Sequence, residues 1–288
     1  RAIGINNANL CATQRAGPRY RKPQNPSAAN GDVSRCQSDC LSPQSPKIEG
    51  PVWASIQGKA MQDQQADIEW QNNGVPVSKR FDDPYFSVDN GLEETQHVFL
   101  GGNDLPARFC DGFHVAELGF GTGLGFLTTV QAWIRSGAQG CLNFTSFEAY
   151  PMTASEMARA LSAFPEFAEL VEPLIQLWAE KKQPIQYAPN ITLKVILGDA
   201  RQTLPGWKGK AEAWFLDGFS PAKNPELWTP ELMQAVAEHT AATGTAATYT
   251  AAGFVRRGLR DAGFHVERIA GYGRKRHMTI AKLGAPTK

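Results

Sequence analysis

The run Glu117-Leu118-Gly119-Phe120-Gly121-Thr122-Gly123 constrains this chain more than any other feature. It stands directly after a β-rich stretch, 113–118, and directly before a helix-like one, 123–135. Glycines there let the backbone turn sharply and let a ligand approach where a Cβ would otherwise stand. A strand, a glycine turn and a helix in that order form half of a parallel βαβ unit, whose ligands sit beyond the carboxyl ends of the strands. The spacing is not that of the dinucleotide fingerprint G-x-G-x-x-G, because position 124 is Leu. What remains is E-x-G-x-G-x-G, with an acid two residues before the first glycine. Taken alone, such a turn is also compatible with a plain βα loop.

The flanking pattern extends the unit. β-like runs at 142–148, 191–197, 213–217, 245–250, 266–269 and 278–283 join 113–118, and helical runs fall at 153–164, 166–178 and 230–240. Thr153 followed by Glu156 is a capping box for the first of these helices. A further helix carries Phe254, Val255, Gly258, Leu259 and Ala262 on one face and Arg256, Arg257 and Arg260 on the other. Alternation at this spacing predicts an α/β fold, a mostly parallel sheet of about seven strands covered on both faces. The last two runs are joined too closely for a parallel crossover, so the final strand is expected to be antiparallel, in a hairpin at the sheet edge. Residues 68–109 read differently, with Trp70, an Asn73-Gly74 turn, the aromatic run 81–87 and a helix at 92–100. They are expected either to pack on the sheet or to cap the ligand cleft.

Charge divides the 288 residues into regions that the formal net of +1 conceals. Residues 1–60 hold eight Lys or Arg against three acids, three of the five Cys, and few large apolar residues. They bury too little apolar surface to offset ordering, so a disordered leader is expected, non-native in preference to an RNA-binding arm or a targeting peptide. The domain reading is then leader 1–60, cap segment 61–109 and core 110–288. Residues 250–288 carry a net +7, which leaves 61–249 at −11. No secretory apolar region and no 18-residue apolar run stands in the sequence, so a cytoplasmic protein without membrane association is expected. Metal sites are not expected, since neither the Cys nor the His have metal-ligand spacing, and G-x-S-x-G is absent.

The glycine turn with its leading acid resembles motif I of class I S-adenosylmethionine-dependent methyltransferases, which implies that Glu117, Gly119, Phe120, Gly121, Thr122 and Gly123 surround that cofactor. Glu148 ends the next predicted strand, where a carboxylate can accept from a ribose diol. Asp199, after the third, is a candidate for the adenine amino group or a helix N-cap. Asp217, after the fourth, completes four acids on one rim, which repel one another unless a cation occupies the cleft. A sulfonium cofactor beside an amine substrate supplies that charge. Asp217 is the candidate catalytic residue, holding the amine and receiving its proton, with Phe219 and Pro221 shaping a dry slot.

Six ordered blocks narrow the resemblance. Residues 81–87, Asn90-Gly91-Leu92-Glu93-Glu94-Thr95, 98–103, the glycine turn with Ser146-Phe147-Glu148, 214–225 and 252–259 together look like the methyltransferase domain of the MnmC family. The resemblance implies methylation of the exocyclic aminomethyl nitrogen of wobble 5-aminomethyl-2-thiouridine in tRNA. It adds Lys223, Arg274, Lys275 and Arg276 as substrate-binding candidates. Many members carry a second, FAD-dependent oxidoreductase domain, for which this chain has no room, so the expectation is either a stand-alone methyltransferase with a separate FAD-dependent oxidoreductase as partner, or a fragment of a bifunctional protein. Gly125 stands where the family pattern has Asn, and His277 where Glu often follows the basic run; neither position was assigned a role. The alternatives are an N-methyltransferase of a small amine or a protein, and a non-catalytic nucleotide-binding module.

Overall fold

A computed structural model of the chain describes residues 65–87 and 90–284; the predicted leader, 1–60, lies outside them. Short antiparallel strands β1 (Ile68–Trp70), β2 (Pro76–Ser78) and β3 (Asp83–Pro84) form a small sheet of their own. They lead into a short helix α1 (Gly91–Thr95), continued by a wide turn, Gln96–Leu100, and a tight one, Gly101–Asn103. The remaining elements build the main sheet and its covering layers. They are β4 (Phe113–Leu118), α2 (Leu124–Ser136), β5 (Leu142–Glu148), α3 (Ala154–Leu161), α4 (Ala168–Ala179), β6 (Ile185–Ala188) and β7 (Ile191–Leu197). After these come α5 (Ala200–Thr203), β8 (Ala211–Leu216), α6 (Pro230–Glu238), β9 (Thr240–Thr248), α7 (Gly253–Asp261), β10 (Phe264–Ala270) and β11 (His277–Leu283).

The main sheet has eight strands in the order β10-β11-β9-β8-β4-β5-β7-β6. Strands β9, β8, β4, β5 and β7 run parallel. The chain builds outward from β4 to β5 and then crosses to β8 on the other side, so the order reverses at β4. Crevices at such a reversal, beyond the carboxyl ends, are where ligands bind in open α/β sheets. Near-continuous burial of β4 and β8 reflects cover on both faces. On β8, Phe215 stacks on Phe99 at 5.1 Å on one side, while Trp214 packs with Phe147 and Trp207 on the other, as period-two alternation requires. Among the described residues no helix is long and apolar enough to cross a membrane, and no group of three His, Cys, Asp or Glu could hold a metal ion.

Two expectations change. The sheet has an eighth strand, β6, antiparallel to β7 at one edge; its four residues lie between Pro184 and Pro189, which read as a connection, and an outermost strand tolerates such prolines. The terminal hairpin forms the opposite edge with its last strand antiparallel, as expected, and β11 is inserted between β9 and β10. A short link dictates antiparallel pairing and says nothing about which partner faces inward. Phe254 is 44% exposed, not on the buried stripe. α6 meets α7 at Gly258 through Met233 and Pro230, burying Val255, Gly258 and Leu259, while Phe254 in the first turn points away from that contact.

The 65–109 segment is fastened to the sheet by polar as well as aromatic contacts. Buried Asn103 donates to the carbonyls of Phe99 (2.9 Å) and Trp214 (3.2 Å) and accepts from Thr245 Oγ1 at 2.6 Å. Replacing Asn103 with Ala removes all three and leaves buried groups short of partners, an expected loss of about 2 kcal/mol, read as a fall in Tm of about 4–8 °C. An unchanged Tm would leave the attachment to Phe99 and Phe215 alone. Arg159 of α3 lies 4.0 Å above the Trp70 ring, and Phe86 meets Phe164 edge-on at 5.0 Å, so the small sheet also rests on the helical layer.

Candidate active site

Beyond the carboxyl ends of β4, β5 and β8 lies a cavity of about 670 Å³. Its floor is the glycine turn, and its far wall is residues 80–87, α1 and the turn between β10 and β11. The aromatic run therefore serves both expected roles, since Phe86 packs on Phe164 while Phe81 and Tyr85 line the cavity. Gly119 carries the turn between two strand ends: its N–H donates to the carbonyl of Phe147 at 2.8 Å. Its φ of +84° is one that L side chains rarely adopt, and a Cβ there would lie 3.2 Å from the carbonyl oxygen of Asp217.

Of the acids that line this space, the four expected ones, Glu117, Glu148, Asp199 and Asp217, each come from a strand end or the loop after it. Glu117 is buried and accepts from Ser146 Oγ at 2.8 Å. Burial holds its carboxyl well above the usual carboxylate range, and the charges of Asp217 and Glu148 push the same way against the Ser146 hydroxyl. Gly125 is not remote from the site, because a Cβ on it would lie 2.2 Å from Glu117 Oε1. The glycine makes the room that the Glu117 carboxyl occupies.

Glu148 joins the glycine turn to the end of β5. Its Oε2 accepts from the Gly121 N–H at 2.8 Å and its Oε1 from the Tyr150 N–H at 2.7 Å. Burial raises its proton affinity, opposed by those N–H groups and by those of Phe120 and Ala149. Asp199 caps α5, accepting from the Arg201 N–H at 2.9 Å, and both its oxygens receive Arg201 Nε at 3.0 Å. The guanidinium of Arg201 holds this carboxyl below its ordinary value. The N-cap reading of Asp199 is thus what the structure displays, while the residue still lines the cavity.

Asp217 follows β8 and accepts from the Gly218 N–H at 2.8 Å. Burial is the main cause that pushes its carboxyl up to about 7, aided by Glu94 and Glu148 and opposed by the Gly218 N–H and Lys275. Beside it, Phe219 stacks on Phe81 at 4.7 Å and meets Tyr85 edge-on at 5.0 Å. Tyr249, just past β9, donates its hydroxyl to the Gly218 carbonyl at 2.7 Å and so braces the strand end that presents Asp217.

The structure brings together Glu117, Gly119, Phe120, Gly121, Thr122, Glu148, Asp199, Asp217, Phe219, Arg274 and Lys275 around this one cavity. Four expected members do not line it. Gly123 is the N-cap of α2, packed against Leu174, Phe120 and Met157. Ser220, whose N–H is held by Asp83 Oδ2 at 2.7 Å, still lines the cavity, while Pro221 after it does not. Lys223 Nζ is engaged by the Asp82 carbonyl and, at 3.1 Å, by the Asp82 carboxylate. Arg276 closes the hairpin turn through its carbonyl, which accepts from the Gly271 N–H at 3.1 Å, and its side chain is exposed. Sequence reasoning did not single out Arg80, Asp83, Tyr85, Glu94, Tyr150 or Tyr249 as individual site residues. Tyr249 had a signal, its place just after a parallel strand. For Asp83, Tyr85 and Glu94 the signal was the blocks 81–87 and 90–95, read as a possible cap without individual roles.

Several carboxyl groups held near neutrality in one cavity suit a ligand that brings positive charge, and a floor of backbone suits one that lies close to the chain. A family model described as S-adenosyl-L-methionine-dependent methyltransferase matches residues 165–284. The chain is 42% identical over 234 residues to the tRNA 5-methylaminomethyl-2-thiouridine biosynthesis bifunctional protein MnmC of Stutzerimonas stutzeri, covering 78% of this chain and 36% of that protein. Its identity to the protein of the same name from Aeromonas hydrophila is 45% over 229 residues, covering 74% and 34%. These matches support an MnmC methyltransferase domain in this chain. It spans about a third of the length of these curated MnmC relatives. The crystal structure of MNMC2 from Aquifex aeolicus shares the fold, with a TM-score of 0.61 at 24% identity, over 83% of this chain and 79% of that one. S-adenosyl-L-methionine is the cofactor of this MnmC domain, and the acid-lined cavity above the glycine turn has the charge to accept a sulfonium.

Proposed function

We propose that this chain methylates the exocyclic nitrogen of 5-aminomethyl-2-thiouridine at the wobble position of tRNA. The observation that carries the reading is Asp217, a carboxyl with proton affinity near neutrality at the mouth of β8, inside a cavity floored by the glycine turn. Bound S-adenosyl-L-methionine supplies an electrophilic methyl group on a positively charged sulfur. Glu148 is placed to accept from a ribose, while Gly119, Phe120, Gly121 and Thr122 leave backbone and space for the remainder. Glu117 faces the same space, its proton affinity raised by burial. Asp199 offers the oxygen lone pairs that Arg201 leaves free.

An alkyl ammonium has no lone pair to donate, so the substrate must lose a proton before or as the N–C bond forms. Asp217 receives that proton, and a carboxyl that titrates near 7 can both accept it and release it to water. Phe219, Phe81 and Tyr85 exclude water from one side. Holding the two reactants in line contributes more than the proton transfer, up to roughly 7–11 kcal/mol in favourable cases. Positive charge on the C-terminal edge, with Arg274 at the cavity and Arg256, Arg257 and Arg260 on α7, matches a polyanionic substrate. A separate FAD-dependent oxidoreductase would expose the amine that this chain methylates, in a cytoplasmic pathway.

The test is to incubate the protein with S-adenosyl-L-methionine and tRNA bearing the aminomethyl base, then digest to nucleosides. The expected result is a mass gain of one CH₂ on that nucleoside, inhibited steeply by salt. An unchanged nucleoside would overturn the reading. Methylation of free amines, unaffected by added tRNA, would assign the chain to small-molecule chemistry instead.

A further inference from the structure

Lys275 was expected to bind phosphate as part of a basic run, yet it faces inward. Its Nζ lies 2.7 Å from Glu94 Oε1 and 4.2 Å from the centre of the Tyr249 ring, and the residue lines the cavity that holds Asp217. The Glu94 side chain is 13% exposed and that of Lys275 45%, so the pair spans the cavity rim, its carboxylate largely buried and its ammonium stem reaching solvent. It joins α1 to the turn between β10 and β11, two neighbouring segments of the cavity's far wall. Tyr249, on whose face the ammonium rests, is the residue that braces Gly218 next to Asp217. The lysine is therefore held from two directions at the edge of the reacting space, which fixes a positive charge there.

We propose that Lys275 is a positioning residue whose fixed charge, held by Glu94 and Tyr249, keeps Asp217 ionised and the incoming substrate amine neutral. This rests on the methyltransferase reading above and adds to it how the proton balance is set. Among the charged and titratable groups of the cavity, those that interact with Asp217 include Glu117 on β4, Glu148 on β5, Glu94 on α1, Tyr249 after β9 and Lys275 on the hairpin turn, while Arg80, Arg201 and Arg274 also line the space. Three carboxylates on that roster favour a proton on Asp217 and a proton on any amine beside it. Lys275 is the group among them that opposes both, since a nearby cation favours a carboxylate and disfavours an ammonium. Without it the acids would hold the amine as an ammonium, a tightly bound but unreactive form. The reaction balances with no further component: the amine proton passes to Asp217, and from there to water.

The experiment compares Lys275→Met, which keeps the stem but not the charge, and Lys275→Arg with the unmodified protein across pH 6 to 9. The acid limb of kcat for Lys275→Met is expected to move up by about one pH unit, so turnover near pH 7 falls about five-fold and recovers by about pH 9. Lys275→Arg is expected to restore the original limb. Cofactor affinity and KM for tRNA should stay within about two-fold. A raised KM with a flatter salt dependence and an unmoved limb would overturn the proposal and make Lys275 a phosphate contact. Should no tRNA substrate be methylated by the unmodified protein, the same comparison can be made without turnover. Infrared or carbon NMR titration of the Asp217 carboxyl is then expected to shift upward in Lys275→Met, and an unshifted titration would overturn the proposal independently of the substrate.

Discussion

Replacing Asp217 with Asn should lower kcat by about 10²–10⁴-fold while S-adenosyl-L-methionine affinity stays within about three-fold. The substitution is isosteric, and its side-chain oxygen can still accept from the Gly218 N–H as Asp217 does. What it removes is the ability to take a proton. Single-turnover rates and calorimetric binding on the same preparation separate the two effects. Equal loss of turnover and affinity would instead make Asp217 a cofactor ligand. The unmodified enzyme should show kcat rising with pH through about 7, because Asp217 titrates there and only its carboxylate accepts the proton. That limb should be missing from Asp217→Asn.

A comparably large effect, on binding instead of turnover, is expected for Glu148→Ala. Glu148 holds the N–H groups of Gly121 and Tyr150, one in the glycine turn and one at the start of the next loop. Hydrogen bonds to a charged group contribute roughly 1.5–3 kcal/mol each. Losing them frees the turn from the end of β5 and also removes the acceptor offered to the ribose. Cofactor affinity by calorimetry should fall about 100-fold or more, which corresponds to roughly 2.7 kcal/mol. Glu148→Gln, which keeps one acceptor oxygen, should fall between. Unaltered affinity in the alanine variant would refute the placing of the cofactor against Glu148.

Much of this was legible before any coordinates. The limits of β4, β5 and β7 coincide with the runs read from hydropathy, and the acids at the ends of β4, β5 and β8 were identified by place alone. These features are local: a buried parallel strand is a short apolar run, and its carboxyl end is simply where the run stops. What failed depended on contacts between distant segments. Pro221 and Lys223 are near Asp217 in sequence, but neither lines the cavity, and Lys223 is engaged instead by Asp82, 141 residues earlier. In the basic run, Lys275 turns inward to Glu94 while Arg276 does not, a distinction that composition cannot carry. Strand β6 escaped notice because four residues between prolines have too little periodicity to register.

The place of β11 sets an order of assembly. Since β11 lies between β9 and β10, the hairpin cannot join the sheet through β10 first, and β9 keeps an open flank until residues 277–283 are available. The same event brings in the turn that carries Arg274 and Lys275, the last wall of the cavity. During synthesis, then, the cofactor floor between β4 and β5 can form well before the substrate side is closed. Pairing of β11 therefore couples a finished sheet to a finished site, and until it pairs β9 offers an open strand edge.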